Sequence, residues 1–249
     1  MKIAKLLLVC SGLLFLNTSC LVVDVMESIE ETSDQVNGSG YVTTEQRNLP
    51  KFDSVEMSTA GKVYITYGTE QEVSVTVDEN IAQYITTSVH GGKLFISTSR
   101  GVSLSNYRLI VNLTMTDLEE LVTNSSGDII GQNTFEVDRI SLVTNSSGDI
   151  SLDLEADQLY SRISSSGDLF LSGSVVYHEA TISSSGNIHA FNLITDTTKI
   201  TINSSGDAEV YASRLLDVRI NSSGDLRYKG YPTIYQSISS SGRIIDANH

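Results

Sequence analysis

The chain has 249 residues with 30 acidic against 16 basic side chains, a net charge of −14. That balance repels a phosphate backbone and argues against a nucleic-acid partner, while a hydrophobic content of 40% excludes a wholly disordered chain. Cys10 and Cys20 are the only cysteines, so beyond residue 20 there is no disulfide, thiol nucleophile or cysteine metal site.

Residues 1–19 follow the plan of an export signal. Lys2 and Lys5 precede an apolar run from Leu6 to Leu16, too short to span a bilayer as a mature helix. The run ends in Asn17-Thr18-Ser19-Cys20, which resembles a bacterial lipoprotein signal with Cys20 as the lipidated new N-terminus, although Asn17 stands where an apolar residue is usual. The expected address is therefore exported and lipid-anchored at the outer membrane, surface-exposed or periplasmic. Residues 20–40 are acidic and unpatterned, with Asp24, Glu27, Glu30, Glu31 and Asp34 before Asn37-Gly38-Ser39-Gly40, and read as a flexible tether. Loss of Lys2 and Lys5 with the signal would take the net charge from −14 to −16.

Residues 41–120 are β-rich and irregular. Alternation is clear at 62–67, 72–77, 93–97 and 107–113, and residues 57–63 look like a degenerate copy of the repeat that follows, with Met57 four before and Val63 two after Gly61. This stretch is expected to supply the first coils and a cap over the open β-edge.

Residues 121–249 are a repeat. Ser-Ser-Gly recurs seven times, at Gly127, Gly148, Gly167, Gly186, Gly206, Gly224 and Gly242, with spacings of 21, 19, 19, 20, 18 and 18. Two residues after each glycine stands an apolar side chain: Ile129, Ile150, Leu169, Ile188, Ala208, Leu226 and Ile244. Four before, the last five copies have Ile163, Ile182, Ile202, Ile220 and Ile238, while Thr123 and Thr144 break the phase in the first two. A segment this short cannot bury its apolar face alone, so the copies must stack, about 4.8 Å apart. An all-β, right-handed parallel β-helix is expected, with each glycine at a corner that needs positive φ or close backbone approach and the serines forming hydroxyl ladders. A nine-residue calcium-binding repeat has half this period, and a hexapeptide helix would not tolerate the drift in spacing.

Phe52-Asp53-Ser54-Val55 leading to Gly61-Lys62-Val63-Tyr64-Ile65, then residues 73–81, then Gly92-Lys93-Leu94-Phe95-Ile96 and the serial Ser-Gly-Asp copies, resemble the auto-transporter adhesin family with the head GIN domain. The similarity covers roughly residues 45–249. The resemblance implies a β-helix like that of pectin lyases, without recognised catalytic residues, in exported proteins and lipoproteins of Gram-negative bacteria. It implies a non-enzymatic adhesin; the alternative is a carbohydrate-binding or polysaccharide-cleaving β-helix.

The residue after the glycine is Asp128, Asp149, Asp168, Asn187, Asp207, Asp225 and Arg243. Stacked aspartates repel by roughly 0.9 kcal/mol per neighbour in water at the coil spacing. They could form a row of weak Ca²⁺ sites. The preferred reading is that they accept bonds from nearby backbone N–H groups or serine hydroxyls, with no cofactor and no metal. Asn124, Asn145, Asn203 and Asn221 are expected to stack as an amide ladder, although Asn-Ser-Ser formally matches a glycosylation acceptor. His90, His178, His189 and His249 read as surface or strand residues, and no Ser/His/Asp spacing marks a triad. Arg162, Arg219 and Arg227 are the candidates for a polysaccharide groove. The expected partners are the membrane, through the N-terminal lipid, and an unidentified surface, protein or glycan ligand. Assembly into an oligomer is left open.

Overall fold

The computed structural model describes residues 34–249. The export segment, Cys20 and the first part of the acidic tether lie outside the described residues. The described residues are nearly all β and wind into a solenoid of about seven turns.

Five long strands follow directly from the repeat: β11 (Asp128–Thr144), β12 (Ile150–Ile163), β13 (Leu169–Ile182), β14 (Ile188–Ile202) and β15 (Ala208–Ile220). Each ends four residues before the next repeat glycine and stacks parallel on its neighbour. The register sets Ile129 on Ile150, Ile150 on Leu169, Leu169 on Ile188 and Ile188 on Ala208. A second interior column runs Ile163, Ile182, Ile202, Ile220. All of these side chains are buried, each contributing about 1.5–3 kcal/mol where it is a full aliphatic side chain. Bulges absorb the drift in repeat length. Register shifts fall at Ile130/Thr134, Phe170/Ser172 and Ala190/Ile194, at the bend between the two halves of a coil.

Thr123 and Thr144 keep the phase rather than breaking it. Both occupy the interior column of Ile163 and are fully buried. The Thr123 hydroxyl donates to the carbonyl oxygen of Gly148 at 3.1 Å, which satisfies it inside the core.

The N-terminal region enters as β1 (Asp34–Asn37), β2 (Val42–Gln46), β3 (Ser54–Ser58), β4 (Lys62–Tyr67), β5 (Glu72–Asp78), β6 (Ile85–His90), β7 (Lys93–Thr98), β8 (Val102–Ser105), β9 (Leu109–Met115) and β10 (Glu120–Thr123). β3 and β4 form a coil directly beneath β10 and the start of β11, with Lys62 level with Asp128 and Val63 with Ile129. Gly61 thus stands one coil below Gly127, where the degenerate copy places it. Beneath that coil lie β7 and β9, which come later in sequence. The spatial order of coils is therefore not the chain order. β5 runs antiparallel on β9, β2 antiparallel on β5, and β6 antiparallel on β7, so this end of the solenoid is covered. Asp78 ties the cover down: its carboxylate accepts the N–H of Gly40 at 2.6 Å and of Arg108 at 3.0 Å. These bonds hold its pKa below the usual carboxylate range. β1 falls within the segment expected as tether and pairs parallel with β8. The far end is formed by β16 (Leu226–Lys229), β17 (Thr233–Ile238) and β18 (Ile244–Asp246).

Candidate functional site

The repeat corner is built from backbone. None of the seven repeat glycines has a φ in the left-handed region; Gly61, at φ +139, is the corner that does. A Cβ on Gly148, Gly167, Gly186, Gly206, Gly224 or Gly242 would come closer than 3.0 Å to the carbonyl oxygen of the glycine one coil below. The glycines are required by close approach, not by dihedral angle. Each N–H from Gly148 onward donates to the first serine carbonyl of the preceding Ser-Ser-Gly, as from Gly167 to Ser146 at 2.9 Å. The expected serine hydroxyl ladders do not form: among the described residues no hydroxyl–hydroxyl bond links one Ser-Ser-Gly to the next, and the second serine of each is exposed. The polar ladder at the corner runs instead through amides, with Asn145 donating to Asn124 at 2.8 Å and Asn221 to Asn203 at 2.7 Å.

The aspartate row answers its own repulsion in the same way. Asp149 Oδ1 accepts the N–H of Asp168 at 2.8 Å, and Asp168 that of Asn187 at 2.7 Å. Asn187 accepts from Asp207 at 3.0 Å, and Asp207 from Asp225 at 2.7 Å. Asp128 makes the same contact to Asp149 at 3.3 Å. The row ends in two cations in register, Lys62 below Asp128 and Arg243 above Asp225. The Arg243 guanidinium binds both carboxylate oxygens of Asp225 and lowers its pKa.

Within the core, Ser161 Oγ lies 2.7 Å from His178 Nε2. Both side chains are buried, so this pair faces the solenoid interior and not a substrate. His178 is therefore an interior residue of β13, not a surface one, and burial pushes its pKa down to about 4. His189 points outward, stacked on Phe170 with ring centroids 4.8 Å apart and with its Nδ1 3.3 Å from Glu209 Oε2.

Arg162 and Arg219 share an outward column with Thr181 and Thr201 between them. Arg227 lies on the other half of the coil, in the column of His189 and Glu209. The three arginines do not gather into one groove. Beside the first column stand Tyr160, Glu179 and Lys199, where Lys199 Nζ is 2.7 Å from Glu179 Oε1 and the Tyr177 hydroxyl donates to Glu179 at 3.0 Å. Lys199 holds the Glu179 carboxyl below its ordinary range.

One concavity was not anticipated. It is an open trough of about 840 Å³ at the bend between the two halves of the coil. Its floor is the column Val137, Ala156, Val175. One wall is Glu136, Glu155, Ser174, Ile194; the other is Asp138, Asp157, Val176, Asp196. Val176 and Ile194 are 54% and 55% exposed. Asp196 is paired with Arg214 at 3.0 Å. Glu136, Asp138, Glu155 and Asp157 have neither a side-chain hydrogen bond nor an ion pair among the described residues. The signal was in the sequence: Glu-Val-Asp at 136–138 and Glu-Ala-Asp at 155–157 recur at 19 residues, a repeat spacing.

A profile of the putative auto-transporter adhesin, head GIN domain family matches residues 51–232, most of the coils and the cover beneath them. The chain belongs to this family. A putative adhesin from Bacteroides fragilis is similar in structure, with a TM-score of 0.80 at 23% identity over 85% of this chain and 99% of that one. A structure from Parabacteroides distasonis named a putative lipid binding protein gives 0.73 at 26% identity over 86% of this chain and all of the other. A putative adhesin from Parabacteroides merdae gives 0.71 at 20% identity over 86% and 100%. No curated protein matches this chain. The solenoid described here is thus shared by these structures, and the trough and outward columns are features read on this chain's own residues.

Proposed function

We propose that this family member is an exported, lipid-anchored envelope protein that acts by adhesion through the outward faces of its solenoid, without catalysing a reaction. The family and its structural neighbours support the adhesin-like, non-enzymatic part; the export signal and Cys20 support the anchor. The observation that carries the reading is the division of the polar side chains. Those at the corner are spent on bonds between coils, whereas the trough carboxylates and the outward columns are held on stacked strands and face water. Rows of side chains fixed at the coil spacing form an extended, pre-organised contact surface, whose binding costs little ordering entropy. The metal reading of the corner row is the weaker one, because one oxygen of each aspartate already accepts a backbone N–H.

Two experiments test this. Labelled fatty acid should enter the wild-type protein in cells and not Cys20→Ser; incorporation into both would remove the anchor. Protease added to intact cells should degrade the protein if it faces outward.

A second reading, saccharide binding, rests on Phe170. Its ring is 41% exposed, flat against His189, with Glu209 and Arg227 on the next two coils bordering a cavity of about 190 Å³. An exposed aromatic face beside ionic groups is suited to a sugar ring. Retention on a glycan array that disappears with Phe170→Ala would favour it; unaltered retention would exclude this face.

A further inference from the structure

The two ends of the solenoid are finished differently. At one end the stack is finished by antiparallel strands, β6 on β7 and β5 then β2 on β9, with β6 and β2 outermost. At the other, β17 pairs with β15 and β18 with β16, and among the described residues no strand lies on their outer edges. The interior columns run out into this rung. Leu216, Ile220 and Leu226 are completely buried, and the side chains stacked on them are Ile234, Ile238 and Ile244. Ile238 is 39% exposed and the other two are half-buried.

Edge strands are normally blocked by charge, proline or a bulge. β17 reads Thr-Ile-Tyr-Gln-Ser-Ile, without any of these, and Tyr235 in its middle is 62% exposed. The charge is also unlike the rest of the molecule. Residues 230–249, which form this rung, carry one cation, Arg243, and one anion, Asp246, in a chain whose net charge is −14. Two copies brought together by this end avoid the repulsion that their other surfaces would impose.

We propose that this rung pairs with the same rung of a second copy, joining two solenoids end to end about a two-fold axis. A two-fold turns each strand antiparallel to its counterpart, which an isologous interface requires. With the axis close to the corner at Gly242, β17 of each copy faces β18 of the other. Both open edges then gain hydrogen bonds at once, and Ile234, Ile238 and Ile244 are covered. A second copy offers two edges at the matching separation, which a single extended peptide does not.

The test is sedimentation equilibrium of the full chain in density-matched detergent, from 1 to 100 μM, with Ile238→Lys and Tyr235→Lys as variants and circular dichroism to verify folding. The expected result is a concentration-dependent dimer for the wild type and a monomer for both folded variants at every concentration. A wild-type protein monomeric throughout, or a dimer that persists in both variants, overturns the proposal.

Discussion

Two rows of carboxylates ride on the same coils at the same spacing, and the fold treats them oppositely. At the corner, Asp128, Asp149, Asp168, Asp207 and Asp225 each accept a backbone N–H from the next coil, and Arg243 closes the row. In the trough, Glu136 stands level with Glu155, and Asp138 and Asp157 occupy the same place one coil apart, with no such partner among the described residues. Stacking alone therefore does not determine what an acidic row is for. A carboxylate beside an unpaired N–H becomes part of the solenoid, while one on an outward strand stays a surface charge for something else to meet.

The largest effect that would sharpen this contrast lies at the corner backbone. Gly167→Val puts a branched side chain where even a Cβ meets the Gly148 carbonyl. It should cost about 3 kcal/mol or more, read as a lower urea midpoint; an unchanged midpoint would show that coils can move apart there. Gly173, which has φ +105, is a different case, since its substitution would be resisted by dihedral angle as well.

Next comes the group the core encloses most completely. His178 is held near 4 against an ordinary 6.5. Its folded pKa is depressed, so the unfolded chain takes up a proton before the folded one, and stability falls as pH drops from 6.5 to 4. The loss should be about 3 kcal/mol. His178→Leu, which matches its column neighbour Leu159, should flatten the stability profile across that window. An equally steep profile in the variant would assign the acid sensitivity to other groups.

Much of this architecture was legible because the repeat is a physical constraint. Apolar residues two after and four before each glycine have to stack, and Ile150, Leu169, Ile188, Ile163 and Ile182 do so. The threonines at 123 and 144 misled because a hydroxyl in a core column looks like a break until the buried carbonyl of Gly148 is seen beside one of them. The glycine requirement was open between two causes, and only the backbone distances separate them. The coil order of β7 and β9 beneath β3 and β4 was not legible, because pairing between segments this far apart leaves no mark in local alternation. The trough was missed for another reason: its Glu-x-Asp copies occur twice only, since the next coil has Ser174 and Val176 at those positions and the bulge between β13 and β14 then sets Ile194 level with Ser174.

The measurement that bears most directly on the account is urea unfolding of Asp149→Ala and Asp157→Ala side by side, at low salt and neutral pH. Asp149→Ala removes the acceptor for the Asp168 N–H and should cost about 1–2 kcal/mol. Asp157→Ala removes a like charge with no partner to lose and should leave stability unchanged or raise it by a few tenths of a kcal/mol, on the order of an exposed charge pair. Equal losses in the two variants would contradict the division between a structural corner row and a free surface row.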